Sequence, residues 1–314
     1  MAGGRDKAAE VNRREGVLRS ESECLEHIRR VLPDLDLRRA RFNREGMVNV
    51  SVIVGEERVC RFPRDERGVG VQRREGRALD LARRHVDLPV PAWDYRSDEM
   101  VSYPFIPGDP LLSDDVARMG ERERDAVAEE LGVFMAQMHG IPPAEAEAAG
   151  VGDSEAGHAS ADYRRFYAEV EERLFPLMWA DGREWVRRLY APFLADPSLL
   201  EYEPRFINGD LATYHLLFDR GRRRLNGVID FGTAGLGDPA QDLAIVINQY
   251  GEAFLRRMRR VCPHIERHIE RARFFAGRIE LEWVLRGLQN DDPGMFVVHL
   301  GRWRDVGRVG SGWE

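Results

Sequence analysis

The stretch that decides the fold runs from Phe206 to Gly232 and reads FINGDLATYHLLFDRGRRRLNGVIDFG. Asp210 lies in a Gly-Asp pair that is typical of a turn, and His215 follows five positions later. Two apolar runs, Leu216–Phe218 and Leu225–Ile229, then flank a short polar segment. Because apolar runs joined by a polar turn are typical of paired strands, the sequence predicts an antiparallel hairpin here.

The predicted hairpin places two metal-binding residue types at its open end. If its strands are centred on the polar turn, His215 and Asp230 lie directly opposite each other. Opposed residues in an antiparallel ladder have Cβ atoms about 4.5–5.5 Å apart. An imidazole nitrogen and a carboxylate oxygen at that spacing can share one divalent cation, with Asp210 close by in the preceding loop. A turn aspartate and a structural histidine are the plainer alternative.

The order of these residues indicates phosphoryl transfer. Asp210 is followed by His215 and later by the triplet Asp230-Phe231-Gly232, and protein kinases have the same order of aspartate, metal ligand and D-F-G. In that chemistry an aspartate accepts the proton of the attacking hydroxyl, or orients it, while metal ligands hold Mg²⁺ on the nucleotide phosphates. The pattern therefore predicts Asp210 as the catalytic base and His215 and Asp230 as ligands of Mg²⁺.

The rest of the chain predicts a strand-rich first part and a helical remainder. Residues 1–20 are polar and predict a frayed lead-in. In the first part, periodicity and turn residues predict strands over Val48–Val54, Arg58–Phe62 and Met100–Ile106, and helices over Glu21–Leu32 and Val71–Arg84. The helices predicted in the remainder are Asp125–His139, Tyr163–Met178, Trp185–Leu194 and Val261–Leu288. This distribution predicts an α+β protein with two lobes.

Composition narrows the class of protein. The net charge of −7 argues against general nucleic-acid binding, because nucleic-acid-binding domains carry a basic excess, and it suits a cationic small molecule better. No apolar run approaches the ~20 residues that a membrane-spanning helix needs, and the N-terminus lacks the apolar core of a signal peptide. The cysteines are far apart, as expected of reduced thiols in the cytoplasm: Cys24, Cys60 and Cys262.

Two segments carry a family resemblance, NGDLATYHLLFD at 208–219 and GVIDFGTAGLGDPAQDLA at 227–244. They resemble the aminoglycoside phosphotransferase family, which has a protein-kinase-like fold. The family's usual motif has Asn at the position of His215, and its aminoglycoside 2''-phosphotransferase and macrolide phosphotransferase branches have His there. The resemblance implies a bilobal fold, with a small β-rich N-terminal lobe over residues 1–106 and a larger helical C-terminal lobe over residues 107–314.

Further matches imply the residues that bind the nucleotide phosphates. The strand RVCRFP at 58–63 resembles the family strand that carries a phosphate-binding lysine, and Glu75 resembles the helical partner of that lysine. Arg61 stands in place of the lysine, and Asn208 stands in place of the histidine that usually precedes Gly-Asp. Arginine is a planar fork and lysine a point charge, so the exchange alters the geometry at the phosphates. An ordinary surface ion pair is the alternative for Arg61 and Glu75.

The resemblance implies a small-molecule O-kinase that moves the γ-phosphate of ATP or GTP to a substrate hydroxyl, with Mg²⁺ as cofactor. Backbone groups at Pro104 and Ile106 are expected to bind the nucleotide base. An aminoglycoside is the favoured acceptor. The alternatives are a macrolide, another antibiotic, a metabolite such as choline, homoserine or a sugar, and a nucleotide-binding protein without turnover, which Arg61 and Asn208 motivate. The acceptor, the choice of ATP or GTP and the oligomeric state stay open.

Other polar residues have plainer interpretations. Asp238, Pro239 and Gln241 form a helix-start pattern, which places Asp242 inside a helix and outside the chemistry. Four histidines have no metal-binding spacing: His139, His264, His268 and His299. Four acidic residues either line a cationic substrate site or form a solvated face: Glu280, Glu282, Asp291 and Asp292.

Overall fold

The chain divides into two compact units, and a computed structural model describes residues 20–44, 46–156, 162–292, 294 and 299. One unit comprises Met1–Asp80 and Pro91–Pro107, and the other comprises Leu81–Val90 and Gly108–Glu314. Most of the predicted lead-in over residues 1–20 lies outside the described residues. Helices and antiparallel strands occur together, which confirms the predicted α+β class.

The first unit contains a five-stranded antiparallel sheet with the strand order β1-β2-β3-β5-β4. Its strands are β1 (Ala40–Asn43), β2 (Asn49–Val54), β3 (Arg58–Pro63), β4 (Tyr95–Arg96) and β5 (Val101–Pro104). Its helices are α1 (Glu21–Val31) and α2 (Glu66–Ala82), with a short 3₁₀ turn at Leu37–Arg39. The predicted hairpin of β2 and β3 is confirmed, and Gly55 makes its turn with a φ of 56°, a conformation that glycine adopts without steric penalty.

Local sequence signals explain where these helices begin. Ser20 and Glu23 form a reciprocal capping box, which satisfies backbone N–H groups in the first turn of α1. The Asp65 carboxylate accepts a hydrogen bond from the Gly68 N–H at 2.8 Å, so α2 begins there and not at Val71 as predicted. Apolar side chains of α1, β2 and β3 and the residue before β5 pack into one core: Cys24, Ile28, Val52, Val54, Cys60, Phe62 and Met100.

The second unit consists mainly of helices. They are α3 (Ser113–Arg118), α4 (Glu121–Gly140), α5 (Pro143–Ala148), α6 (Tyr163–Arg173), α7 (Ala180–Ala195), α8 (Ala240–Tyr250), α9 (Glu252–Arg257) and α10 (Ile265–Gln289). Short 3₁₀ turns lie at Phe175–Leu177, Pro197–Leu200, Thr213–His215 and Met258–Arg260. One small antiparallel sheet pairs β7 (Arg205–Ile207) with β10 (Gly235–Gly237). The other has the order β6-β8-β9, with β6 (Asp109–Pro110), β8 (Leu216–Asp219) and β9 (Arg224–Val228).

The predicted helices of this unit are confirmed with shifted ends. Helix α4 carries the predicted apolar stripe, and Val127 and Met138 on it are fully buried. The helix predicted over Tyr163–Met178 ends at Arg173. A 3₁₀ turn follows it across Pro176, because the proline ring excludes a regular α-helical hydrogen bond. Within the described part of the chain, no helix is both long enough and apolar enough to cross a membrane.

The core of the second unit is built around α8 and α10, which pack against each other. It contains a buried ion pair between Arg273 and Glu252. The Arg273 Nη2 and Nε donate to the two carboxylate oxygens of Glu252 at 2.7 and 3.0 Å. Because burying an unpaired charge is expensive, this two-point contact is what allows a 1% exposed arginine inside the core.

Strand β10 is packed tightly against neighbouring backbone at Gly235. A Cβ atom at this position lies 2.6 Å from the Gly152 carbonyl oxygen and 2.6 Å from the Ser154 nitrogen, and both are backbone atoms. We expect Gly235→Ala to lower the free energy of unfolding by about 1–3 kcal/mol, as overpacking does, measured by urea denaturation. Gly152→Ala is the control, because its Cβ meets nothing within 4 Å. Equal stability of the two variants contradicts the prediction.

Candidate active site

The hairpin of β8 and β9 forms as predicted, but in a different register. An irregularity between Leu217 and Phe218 shifts the ladder by one residue. The expected direct opposition of His215 and Asp230 was therefore wrong, and the His215 carbonyl oxygen accepts the Ile229 N–H at 2.9 Å instead. A bulge sets two residues of one strand against one of the other, so a symmetric count from the turn fails.

His215 and Asp230 nevertheless meet, because the backbone turns sharply at Asp230. Its φ of 63° lies in the left-handed region, which residues other than glycine rarely occupy. Its Oδ1 accepts the Gly232 N–H at 3.1 Å, which supports the turn. Its Oδ2 then lies 3.5 Å from the His215 Nε2. Strained backbone of this kind is concentrated at functional sites.

A hydrogen bond determines which ring nitrogen of His215 faces Asp230. The His215 Nδ1 lies 2.8 Å from the backbone carbonyl oxygen of Asp210. A carbonyl oxygen only accepts hydrogen bonds, so Nδ1 carries a proton, and in the neutral ring Nε2 keeps its lone pair. The Tyr214 ring packs edge-on against the imidazole, with the ring centroids 4.4 Å apart. His215 is therefore held with Nε2 presented as a donor atom for a cation.

Asp210 lies on the other side of the same imidazole. Its Oδ2 is 3.6 Å from the His215 Nδ1. Burial raises the pKa of the Asp210 carboxyl; the neighbouring carboxylates of Asp230 and Asp242 also raise it, while charge on His215 opposes the shift. A carboxylate with a raised pKa is a stronger proton acceptor, which suits a general base.

Asn208, which replaces the histidine of the usual motif, ties Asp210 to Asp230. Its Oδ1 accepts the Asp210 N–H at 3.0 Å, and its Nδ2 donates to the Asp230 carbonyl oxygen at 3.0 Å. The residue is fully buried. The departure from the usual motif therefore leaves the base and the metal-ligand positions connected.

Asp242 lies inside helix α8, as predicted, and it also anchors the Asp210 loop, which sequence reasoning missed. Its Oδ1 accepts the Gly209 N–H at 2.7 Å, and its Oδ2 accepts the Asn208 N–H at 3.1 Å. The His139 Nε2 donates to the same Oδ2 at 3.0 Å. Asp242 is 1% exposed, and at low dielectric such bonds are strong and an unmade one is costly. The available signal was an acidic residue within the apolar sequence AQDLAIVI at 240–247.

In the first unit, Arg61 and Glu75 form a buried ion pair. The Arg61 Nη1 lies 2.6 Å from the Glu75 Oε1, and the two side chains are 10% and 0% exposed. The alternative of an ordinary surface ion pair was therefore wrong. Gln72, also on α2, donates to the Arg61 carbonyl oxygen at 3.3 Å, so the helix is fixed to β3 at this point.

Pro104 and Ile106 lie where strand β5 ends. Between them, the Phe105 N–H donates to the Glu57 carbonyl oxygen at 2.9 Å. Since the oxygen and the hydrogen of a trans peptide lie on opposite sides, the Pro104 carbonyl points away from Glu57. This direction is compatible with the predicted contact to a nucleotide base, and that role stays a prediction.

The acidic residues of α10 have different surroundings from one another. Glu280 is 4% exposed and accepts from the Asn248 Nδ2 at 2.6 Å, while the His299 Nδ1 lies 2.9 Å from its other oxygen. The solvated-face interpretation is therefore wrong for Glu280. Glu282 accepts from the Arg278 Nε at 2.8 Å. Beyond the helix, Asp291 and its neighbour Asp292 are exposed.

The residue types of His215 and Asp230 are compatible with a magnesium ion that the phosphate oxygens of a bound nucleotide would also help to hold. Among the residues that the structure describes, no group of three or more His, Cys, Asp or Glu side chains is arranged to bind a metal. Mg²⁺ keeps several waters and is usually bound by one or two protein side chains together with phosphate oxygens. Oxygen is its preferred ligand, so the Asp230 carboxylate is the stronger of the two.

Phosphoryl transfer in kinase-like proteins depends on an aspartate base followed along the chain by a metal-binding D-F-G aspartate. The two-unit α+β fold and the loop from Asp210 to Gly232 have the same order of residues, which is typical of kinase-like phosphotransferases. Comparison with known proteins agrees. The family model described as "Phosphotransferase enzyme family" matches residues 39–275, and the chain belongs to that family. The predicted resemblance and the predicted enzyme class are confirmed.

Three relatives extend the comparison. The viomycin phosphotransferase of Streptomyces vinaceus is 32% identical over 219 residues, which cover 66% of this chain and 72% of that protein. The GDP complex of wild-type aminoglycoside 2'-phosphotransferase-IIIa is 26% identical with a TM-score of 0.78, covering 90% of this chain and 96% of the other. The macrolide 2'-phosphotransferase MphH from Brachybacterium faecium is 23% identical with a TM-score of 0.67, covering 89% and 97%. The two solved structures confirm the predicted protein-kinase-like fold.

Replacing Asp242 tests the anchoring of the loop. We expect Asp242→Ala to lower the free energy of unfolding by about 2–5 kcal/mol, because it leaves the buried N–H of Asn208 and the partly buried N–H of Gly209 without an acceptor. Urea denaturation measures the effect. Asp196→Ala is the matched control, since that carboxylate also accepts a backbone N–H, from Ser198, but is exposed; we expect it to cost about 1 kcal/mol. Similar losses in both variants contradict the anchoring role.

Exchanging His215 tests its role as a ligand. His215→Ala removes the donor atom and is expected to raise the Mg²⁺ concentration needed for half-maximal nucleotide binding by about tenfold or more. His215→Asn supplies an amide oxygen and is expected to stay close to the unmodified chain. A fluorescent nucleotide titrated with Mg²⁺ measures both, and His85→Ala, at a partly exposed histidine, is the control. An unchanged Mg²⁺ requirement in His215→Ala rules out the ligand role.

Proposed function

We propose that this phosphotransferase moves the γ-phosphate of ATP or GTP to a hydroxyl group of a cationic antibiotic. The observation that supports it is the meeting of three side chains in the second unit. His215 lies 3.6 Å from the Asp210 carboxylate and 3.5 Å from the Asp230 carboxylate. Phosphoryl transfer needs a base for the hydroxyl and neutralisation of the phosphate charge, and these residue types supply both.

In the proposed reaction, Asp210 accepts the proton of the acceptor hydroxyl while the hydroxyl oxygen bonds to the γ-phosphorus. The bond from that phosphorus to the β,γ-bridging oxygen breaks, and the nucleoside diphosphate leaves. The raised pKa of the Asp210 carboxyl, caused mainly by burial, supports its role as base. His215 and Asp230 would hold Mg²⁺, which would supply positive charge to neutralise the triphosphate.

We assign the nucleotide contacts to the first unit. The Arg61 guanidinium is oriented by its buried pairing with Glu75, and we assign it to the α- and β-phosphates, where arginine can form two parallel hydrogen bonds. The Pro104 carbonyl and the backbone of Ile106 are assigned to the nucleotide base. A relative with the same fold binds GDP, which favours a purine nucleotide as donor.

Relatives and charge together favour the acceptor class. Two of the relatives described above are more than 25% identical to this chain, and they are named as phosphotransferases of viomycin and of an aminoglycoside. The net charge of −7 favours a cationic acceptor, because an acidic protein attracts cations. Viomycin and an aminoglycoside are therefore the first acceptors to test. We also propose a cytoplasmic location, because all three cysteines are free and buried, as in a reducing compartment.

An acceptor screen tests the proposed function. The chain is given ATP or GTP with Mg²⁺ and one acceptor at a time: viomycin, an aminoglycoside, a macrolide, choline, homoserine or a sugar. Nucleoside diphosphate release above the acceptor-free rate is expected to be largest with a cationic antibiotic. A larger response to choline, homoserine or a sugar contradicts the antibiotic class. Tight Mg²⁺-dependent nucleotide binding without turnover on any acceptor favours the nucleotide-binding alternative, which Arg61 motivates.

Asp210→Asn tests the base. We expect kcat to fall by at least about 10²-fold, because an amide cannot accept the hydroxyl proton, while nucleotide affinity stays within about threefold. Asp114→Asn is the control, since Asp114 is exposed and pairs only with a neighbouring arginine of α3. Steady-state kinetics and nucleotide titration give the two readouts. Full turnover in Asp210→Asn excludes the assignment.

A further inference from the structure

A cavity of about 590 Å³ lies within the second unit. Its lining includes three arginines and three histidines: Arg205, Arg267, Arg271, His139, His264 and His268. The residues assigned above to the base and the metal are not among the residues that line it. Cavities of this size bind small molecules, and the proposed phosphoryl transfer makes no use of this one.

Arg267 supplies a positive charge to the cavity that is not held in an ion pair. Its side chain is exposed, and within the described part of the chain it has no ion pair. Glu201 and Glu203 also belong to the lining, and both are exposed. Glu203 pairs with Arg205 at 3.1 Å. The Arg267 guanidinium is therefore the cationic group of the lining that is available to an anion.

A second arginine is built into the wall in a fixed orientation. The Arg271 side chain is only 11% exposed and donates to the Asp238 carboxylate at 2.7 and 3.1 Å. Its Nη2 also lies 2.9 Å from the His268 Nδ1. Asp238 in turn accepts the Ala240 N–H at 2.9 Å, at the start of α8. This part of the wall is thus ordered by buried hydrogen bonds.

Two of the histidines provide uncharged hydrogen-bonding groups. Burial is the main cause that lowers the pKa of His264 to about 4 and that of His268 to about 3. Charge on neighbouring groups contributes to both values, from His139 and then Arg205 and Arg267 at His264, and mainly from Arg271 at His268. The same arginine charges that disfavour a second proton on these rings favour an anion beside them. The cavity therefore combines arginine charge with neutral imidazoles, a set suited to oxygen atoms that carry negative charge.

A chain of hydrogen bonds joins the cavity to the Asp210 loop. The His264 Nε2 lies 2.9 Å from the His139 Nδ1, and the His139 Nε2 lies 3.0 Å from the Asp242 Oδ2. Asp242 then accepts the N–H groups of Asn208 and Gly209 at 3.1 and 2.7 Å. Since a carboxylate only accepts, the His139 Nε2 carries a proton, and the His139 Nδ1 and the His264 Nε2 share one hydrogen bond.

We propose that this cavity binds a small organic oxyanion, a phosphate monoester or a carboxylate, and that the bound ligand acts on the Asp210 loop through His264, His139 and Asp242. An anion beside Arg267 stabilises additional positive charge on His264. That changes the bond from His264 to His139 and, through it, the bonds that Asp242 accepts from the loop. Coupling of two sites is reciprocal, and typical couplings change an affinity about 5–150-fold.

The binding test follows the NMR signals of the histidine rings in the full chain. Glycerol 2-phosphate and malonate are added separately at constant ionic strength, with glycerol as the uncharged control. We expect the His264 and His268 signals to move with at least one anion and not with glycerol, and the more effective anion identifies phosphate or carboxylate as the ligand chemistry. Shifts confined to His215 place the anion at the candidate active site and overturn the proposal. Unmoved His264 and His268 signals up to about 10 mM also overturn it.

Arg267→Ala locates the site. Because this arginine is exposed and without an ion pair in the described structure, the fold is expected to tolerate its loss, while the anion binds about tenfold more weakly without a charge-assisted hydrogen bond. Arg260→Ala is the matched control, since Arg260 is also exposed, pairs with Glu129 and does not line the cavity. Equal weakening in both variants indicates unspecific attraction to surface charge and contradicts the site.

Hydrogen exchange of the Asn208 and Gly209 amides tests the coupling. We expect the bound anion to change the exchange rates of these amides in the unmodified chain, and to change them much less in Arg267→Ala at the same anion concentration. Unchanged rates with the cavity saturated overturn the coupling. Neither measurement depends on turnover, so a chain that phosphorylates no acceptor still gives a decisive result here.

Discussion

The buried carboxylate of Asp242 is the constraint on which the rest of the site depends. A carboxylate away from water is tolerated only when its oxygens are hydrogen-bonded, and here two backbone N–H groups and one imidazole do this. The two backbone donors belong to adjacent residues, and the second of them, Gly209, has a φ of 79°. Helix α8 therefore fixes the conformation of the loop that carries Asp210. The hairpin of β8 and β9 places His215 and Asp230 beside this loop.

The same principle operates separately in the two units. In the first, the buried pair of Arg61 and Glu75 fixes strand β3 to helix α2. In the second, Asn208 connects Asp210 to Asp230 through one hydrogen bond from each end of its side-chain amide. In both places a short polar contact excluded from water fixes a functional side chain, at a cost in desolvation that apolar packing would avoid. In return, these contacts hold charged side chains in defined positions.

Much of this arrangement is readable from the sequence, because it is local. Apolar periodicity gave the helices, and Gly55 between two β-rich runs gave the first hairpin. The proximity of His215 and Asp230 also followed from the hairpin pattern. What local patterns do not contain is the bulge beside Leu217, which shifted the register, and the left-handed backbone at Asp230, which restored the contact by another route. Neither feature follows from the alternation of apolar residues or from the turn residues of the hairpin.

Long-range contacts were beyond the reach of sequence spacing for the same reason. His139 and Asp242 are 103 residues apart, and His139 and His264 are 125 apart. No periodic pattern of the sequence connects these residues, and the packing of the helices brings their side chains together. An acidic residue in an otherwise apolar helix is the one local signal that such a buried polar network leaves, because a charge is kept there only when partners satisfy it.

The guanidinium of Arg61 affects which covalent inhibitors can react at this position. Arginine stays protonated throughout the accessible pH range, so it offers no free amine to acylating or imine-forming groups. Lys7 is the only lysine of the chain, in the polar lead-in. Cys60 beside Arg61 is buried, and burial raises the pKa of its thiol to about 11, which leaves almost no thiolate. Covalent compounds that capture a lysine next to the phosphates of kinase-like proteins therefore have no amine to bond at position 61, and compounds directed to this position must rely on reversible contacts.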